Sequence, residues 1–181
     1  MNNPGEGNRI YILTGKVHSG KTTFVKKTVK ELKEKGIAVE GFLSERMTGD
    51  EKGQGYDLID LSREKPVPFI RTSGQPEWPQ IGPYFFDPRG LAEAQKIIRG
   101  SRRADLLVVD EVGPLELGGR GLWPALEGEL FRPSKKILLV IRESLLKDFL
   151  SILNQSEVKI FKRTDGRMIP CLLDELHRRG H

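Results

Sequence analysis

The chain has 181 residues, 37% hydrophobic and 30% charged, with 30 Lys and Arg against 25 Asp and Glu for a net charge of +5. That length suits one domain, residues 1–181, with a buried core; no apolar run approaches the ~20 residues that a membrane crossing needs, and the hydrophobic content excludes a disordered polymer. The basic excess suits an anionic ligand and tolerates nucleic acid without demanding it, because the cations are interleaved with acids instead of gathered in a block.

Met1 to Asn8 is polar and offers no apolar signal-peptide core. Ile10 to Leu13 reads as a short buried strand. It runs into Gly15-Lys16-Val17-His18-Ser19-Gly20-Lys21-Thr22, which satisfies G-x-x-x-x-G-K-[ST], the Walker A or P-loop pattern. From Thr22 to Lys35, residues Phe24, Val25, Thr28, Val29 and Leu32 recur at helical spacing, and Gly36 is placed to end that helix. Ile37 to Ser44 reads as a strand in which Gly41 marks a weak point or a close approach. Met47 to Gly55 should turn. Tyr56 to Leu61 and Val67 to Arg71 then form an antiparallel hairpin appended to the sheet. Ser73 to Pro83, with three prolines and two glycines, reads as loop, and Trp78 within it as a packing anchor. Tyr84 to Phe86 is a short strand. Asp87 before Pro88 starts a helix that runs to Arg99 and stops at Gly100.

Ala104 to Asp110 is a continuous apolar strand that ends in Asp110-Glu111. Val112 to Gly121 reads as a glycine-rich loop, and Leu122 to Leu130 as a helix with Pro124 in its first turn. Lys136 to Ile141 is another apolar strand. Ser144 is placed to cap a helix reaching Leu153, Val158 to Phe161 is a short strand, and Ile169 to Arg179 closes the chain as a helix. Strands alternating with helices imply an α/β fold with a mainly parallel sheet covered on both faces. The single cysteine, Cys171, rules out an internal disulfide and fits a reducing, cytoplasmic compartment.

A triphosphate needs several backbone N–H groups converging on its oxygens. A glycine-rich turn exposes them, and the helix that follows adds unpaired donors and partial positive charge. Gly15 to Thr23 are therefore the candidate nucleotide-binding residues: Gly15, Lys16, Val17, His18, Ser19, Gly20, Lys21, Thr22 and Thr23. Lys21 brings a full charge to the β- and γ-phosphates, and the Thr22 hydroxyl is a ligand for Mg²⁺. His18 either points outward or, as an imidazolium, meets phosphate. Leu106 to Glu111 has the form of a Walker B strand. Asp110 emerges at its end to hold Mg²⁺, mostly through water, and Glu111, one residue on, is placed to polarise the attacking water. Taken alone, an acid pair after a buried strand is a common turn; a P-loop upstream gives it this role. Arg142 follows the next apolar strand, where it either stabilises charge in the transition state or pairs with Glu143 or another acid. Lys162, Arg163 and Asp165 follow the last strand, as base contacts or as a solvated loop. His177 and His181 lack a carboxylate or cysteine partner for a metal site and read as terminal surface residues.

Asp110-Glu111-Val112-Gly113-Pro114-Leu115-Glu116-Leu117 resembles the D-E-I-G-P-M-E-L signature of the THEP1-type nucleoside-triphosphatases. Gly41-Phe42-Leu43-Ser44-Glu45 is similar to that family's G-F-x-T-E segment, and Tyr56 to Leu61 and Ile81 to Tyr84 resemble further landmarks. The resemblance implies a RecA-like three-layer P-loop fold. It also implies Mg²⁺-dependent hydrolysis of ATP, GTP and other nucleoside triphosphates to diphosphate and phosphate. One departure stands in the phosphate loop, where the family usually reads G-x-P-G-x-G-K-T and Val17-His18 replace Pro-Gly. A nucleotide or small-molecule kinase and a non-hydrolysing, nucleotide-gated binding module are the alternatives on the same fold; Glu111 argues against the second. No membrane partner is expected, nucleic acid is not favoured, and no protein partner can be named from the sequence.

Overall fold

A computed structural model of the chain describes residues 9–47, 55–132, 135–153 and 157–177. Strand β1 (Arg9–Gly15) leads through the glycine-rich turn into helix α1 (Lys21–Glu34), and β2 (Val39–Arg46) follows. Four strands come next with no helix between them: β3 (Gly55–Asp60), β4 (Pro66–Arg71), the short β5 (Gln80–Ile81) and β6 (Tyr84–Phe86). The alternating part then resumes with α2 (Pro88–Gly100), β7 (Leu106–Val112), α3 (Pro114–Leu117), α4 (Trp123–Leu130) and β8 (Lys136–Arg142). It ends with α5 (Leu146–Ile152), β9 (Glu157–Lys162) and α6 (Met168–His177).

These strands form one nine-stranded sheet in the order β5-β6-β4-β3-β2-β7-β8-β1-β9. From β2 to β9 every neighbouring pair is parallel. From β2 outward to β5 every pair is antiparallel. The period-two alternation of strands divides the apolar residues between the faces. Tyr11 and Leu13 pack with Val25, Leu32 and Leu172 on the side of α1 and α6. Ile10 and Ile12 pack with Phe42, Leu126 and Phe149 on the side of α2, α4 and α5. The result is the expected three layers, helices over both faces of a mainly parallel sheet.

Asp87 caps α2 as its sequence implies, its Oδ1 accepting from the Arg89 N–H at 2.9 Å, with Pro88 in the first turn. Gly41 is a close approach: a Cβ there would lie 1.9 Å from the Val108 carbonyl oxygen, so only glycine lets β2 and β7 pair at this point. Trp78 packs beside Gly74, as an anchor should. Four readings need correction. The expected loop Ser73 to Pro83 contains β5, whose partners are Phe85 and Tyr84; two paired residues are too few to show a period. The expected hairpin is thus an antiparallel wing of four strands. The loop Val112 to Gly121 holds α3, started by Pro114 and too short for helical spacing to register. Ser144 does not cap α5; it lies inside a 3₁₀ turn over Glu143–Leu145, and Leu145 precedes the helix. Most of the turn Met47 to Gly55, the end of the closing helix at Arg179, and His181 lie outside the described residues.

Candidate nucleotide site

The phosphate loop crosses from the end of β1 to the start of α1. Gly20 takes the left-handed conformation, φ 80° and ψ 22°, immediately before the helix. His18 does so as well, with φ 57°. The backbone therefore keeps a glycine-like conformation at a histidine, at a strain of about 1–2 kcal/mol. The His18 ring is exposed, and Val17 beside it is 50% exposed. Lys21 is buried, and its ammonium donates to the carbonyls of Gly15 at 3.2 Å and Lys16 at 2.7 Å. The Ser19 hydroxyl is buried in the loop with no hydrogen-bond partner.

Asp110 stands beneath this loop with none of its surface exposed. One carboxylate oxygen accepts from the Ser44 N–H at 3.3 Å, and the Thr22 hydroxyl bonds to the side chain. The other oxygen, Oδ1, is buried with no partner. Burial pushes the carboxyl up to about 7, and the neighbouring Glu111 adds to that; Thr22, the Ser44 N–H and Lys21 pull the other way. An unsatisfied carboxylate oxygen beside a threonine hydroxyl is the donor set that a hard, oxygen-seeking cation takes. Among the described residues no group of three or more His, Cys, Asp and Glu could hold a metal ion. A cation here would rest on few protein ligands, as magnesium at a phosphate does.

The register between β7 and β8 slips at Glu111: Asp110 pairs with Val140, and Val112 already pairs with Ile141. One extra residue in a strand re-aims its side chain. Glu111 lines the cavity and forms an ion pair with Arg142 Nε. The structure thus brings Arg142 to Glu111, while Glu143 pairs with Lys162 at 3.3 Å instead. The cavity, of about 470 Å³, joins the phosphate loop to both. Behind it, Glu116 ties down the loop that follows β7. Its Oε2 accepts from the Gly113 N–H at 2.8 Å and its Oε1 from the Leu122 N–H at 2.9 Å, and burial holds the carboxyl above its ordinary range.

Sequence reasoning missed the wall facing the phosphate loop. Ser44, Glu45, Arg46 and Tyr56 all line the cavity, and Lys26 of α1 closes it by pairing with Glu45 at 2.7 Å. The signal was present in the segment Gly41 to Glu45, which ends a strand beside β7. Arg163 lies against the loop, its Cδ 3.8 Å from where a Cβ on Gly20 would stand, whereas Asp165 is held by Arg167 at 2.7 Å. His177 contacts the Leu173 carbonyl at 2.7 Å through Nδ1.

Comparison with known proteins gives the family and the fold. The family model described as NTPase matches residues 10–167. The chain is 29% identical over 153 residues to the nucleoside-triphosphatase THEP1 of Thermotoga maritima, covering 83% of this chain and 84% of that protein. It is 30% identical over 158 residues to that of Thermofilum pendens, covering 85% and 86%. The solution structure of a human cancer-related nucleoside triphosphatase superposes with a TM-score of 0.70 at 26% identity, over 95% of this chain and 97% of that one. The crystal structure of THEP1 from the hyperthermophile Aquifex aeolicus has the same fold, with a TM-score of 0.70 at 22% identity over 96% of this chain and 99% of that one.

Proposed function

We propose that this chain, which belongs to the NTPase family and is a nucleoside-triphosphatase, hydrolyses its substrate in the cavity between the phosphate loop and Glu111, with Mg²⁺ as the metal. The observation that carries the reading is one cavity lined by residues 17–23 and by Glu111, the acid beside the buried Asp110.

The β- and γ-phosphates of ATP, GTP or another triphosphate lie on the loop. Lys21 exchanges the Gly15 and Lys16 carbonyls for phosphate oxygens, a charge-assisted contact roughly twice as strong as a neutral one. The Ser19 hydroxyl gains a partner in the same step. Thr22 and the free oxygen of Asp110 would hold Mg²⁺, whose charge would offset that of the phosphate oxygens. Glu111 orients a water in line with the terminal phosphorus and draws on its proton. The water oxygen bonds to phosphorus as the bond to the bridging oxygen breaks, and the diphosphate leaves with that electron pair. Arg142 keeps one oxygen of Glu111 engaged and so directs the other toward the water.

No helix among the described residues is long and apolar enough to cross a membrane, and Cys171 is a free thiol. With these, the cytoplasm is the setting we assign. The test is phosphate release from ATP, GTP, CTP and UTP with and without Mg²⁺, alongside Lys21→Ala. Release that needs Mg²⁺ and disappears in Lys21→Ala is expected. Wild-type turnover by a folded Lys21→Ala protein would move the reaction elsewhere.

A further inference from the structure

The wall opposite the phosphate loop contains a cation that this mechanism does not use. Arg46 ends β2, and Tyr56 stands directly across from it in the β2–β3 register. Both line the cavity together with Glu111 and Arg142. Strand alternation separates Arg46 from its neighbour: Leu43 and Glu45 belong to the α1 face, where Glu45 meets Lys26, and Phe42, Ser44 and Arg46 belong to the other. Tyr56 is fixed in place. Its carbonyl accepts from Arg71 Nη1 at 2.7 Å, and its ring meets that of Tyr84 edge-on, centroids 6.4 Å apart. Burial, and Tyr84 after it, hold the phenol above its ordinary value, so it remains a hydrogen-bond donor.

The two arginines of the cavity differ in what they face. Arg142 is engaged by Glu111, whereas among the described residues no carboxylate pairs with Arg46. Phosphoryl transfer draws most of its catalysis from positioning and from charge on the terminal phosphate oxygens. A guanidinium fork fits those oxygens better than a point charge. We propose that Arg46 contacts the terminal phosphate of a bound nucleoside triphosphate from the side where water attacks, with the Tyr56 hydroxyl beside it, while Arg142 stays with Glu111. The antiparallel wing then completes the site from within the chain and selects triphosphate over diphosphate. This inference rests on the reading that the nucleotide occupies the phosphate-loop cavity.

The test measures binding of ADP and of the β,γ-imido analogue of ATP, each with Mg²⁺, by calorimetry on the full chain, together with ATP turnover. Arg46→Ala is expected to weaken the analogue about tenfold and to lower kcat by about 10²-fold, less than the roughly 10³–10⁵-fold that a supplied arginine can reach, with ADP affinity nearly unchanged. Arg46→Lys, which keeps the charge and loses the fork, should fall between. Tyr56→Phe, which keeps the ring against Tyr84, should lower kcat severalfold. Analogue affinity and turnover at wild-type values in Arg46→Ala, with both lost in Lys21→Ala, would overturn the role of Arg46 and leave the site reading intact. Both retained in a folded Lys21→Ala protein would overturn the site reading and this inference with it.

Discussion

Glu111 and Arg142 share one ion pair, and the two substitutions divide their roles. Glu111→Gln keeps the size of the side chain but weakens its pull on water. Lys21, Thr22 and Asp110 remain, so triphosphate affinity should stay near wild type while phosphate release falls by about 10²-fold or more. A turnover assay paired with calorimetry on the same preparation reads both. Arg142→Ala leaves the glutamate present but unheld. Turnover should fall about tenfold with little change in affinity, the pattern of an interaction that matters in the transition state. Steady-state kinetics over a range of triphosphate concentrations separates kcat from KM. That Arg142 would lie at a strand end was legible from the apolar run before it. Its partner was not, because the meeting depends on a register slip at Glu111 that leaves no mark in composition or spacing.

At the scale of elements, long apolar runs were legible and short irregular pieces were not. β1, β7 and β8 announce themselves because a strand buried on both faces needs continuous apolar residues. β5 and α3 have too few residues to display a period; β5 is held by Phe85 and Tyr84 just after it, and α3 by a single acid. Glu116 is that acid for α3, and it makes the element sensitive to pH. Burial holds the folded carboxyl above its ordinary value of 4.5, so the folded protein binds this proton more tightly than the unfolded chain does. The resulting stability is fully present below about pH 4.5 and is lost as pH rises through the raised value. Glu116→Gln should abolish that slope. It should also carry a constant cost of about 1–3 kcal/mol, since the amide N–H₂ would face a backbone N–H with nothing to accept it. Urea midpoints of the two proteins between pH 4 and 8 show whether the curves diverge in this way.

For the molecule as a whole, the sheet gathers the ends of β1, β2, β7 and β8 at one edge, and the proposed site residues arrive from that edge, from the phosphate loop and from the first turn of α1. Ligand binding should therefore stabilise the entire parallel region. At a hundred times its Kd, Mg·triphosphate adds about 2.7 kcal/mol by mass action, which for a chain of this size is a rise in Tm of roughly 5–10 °C. A thermal melt should show that rise with the wild type and none with Lys21→Ala. The layered architecture and the phosphate loop were readable because both repeat patterns of fixed spacing. The antiparallel wing was readable only as a hairpin, since its further strands pair through a handful of residues.

The place of β1 in the sheet also bears on how the protein is made. The first strand of the chain has its two neighbours in β8 and β9, which begin at Lys136 and Glu157. A ribosome therefore releases the phosphate loop long before it releases the strands that seat it. Until they emerge, β1 is an unpaired apolar segment, and closing it into the sheet is a long-range event of the kind that slows folding and leaves edges open to association. Nucleotide binding is thus acquired late in synthesis. Through the synthesis of everything between α1 and β8, the phosphate loop has neither of its flanking strands beside it.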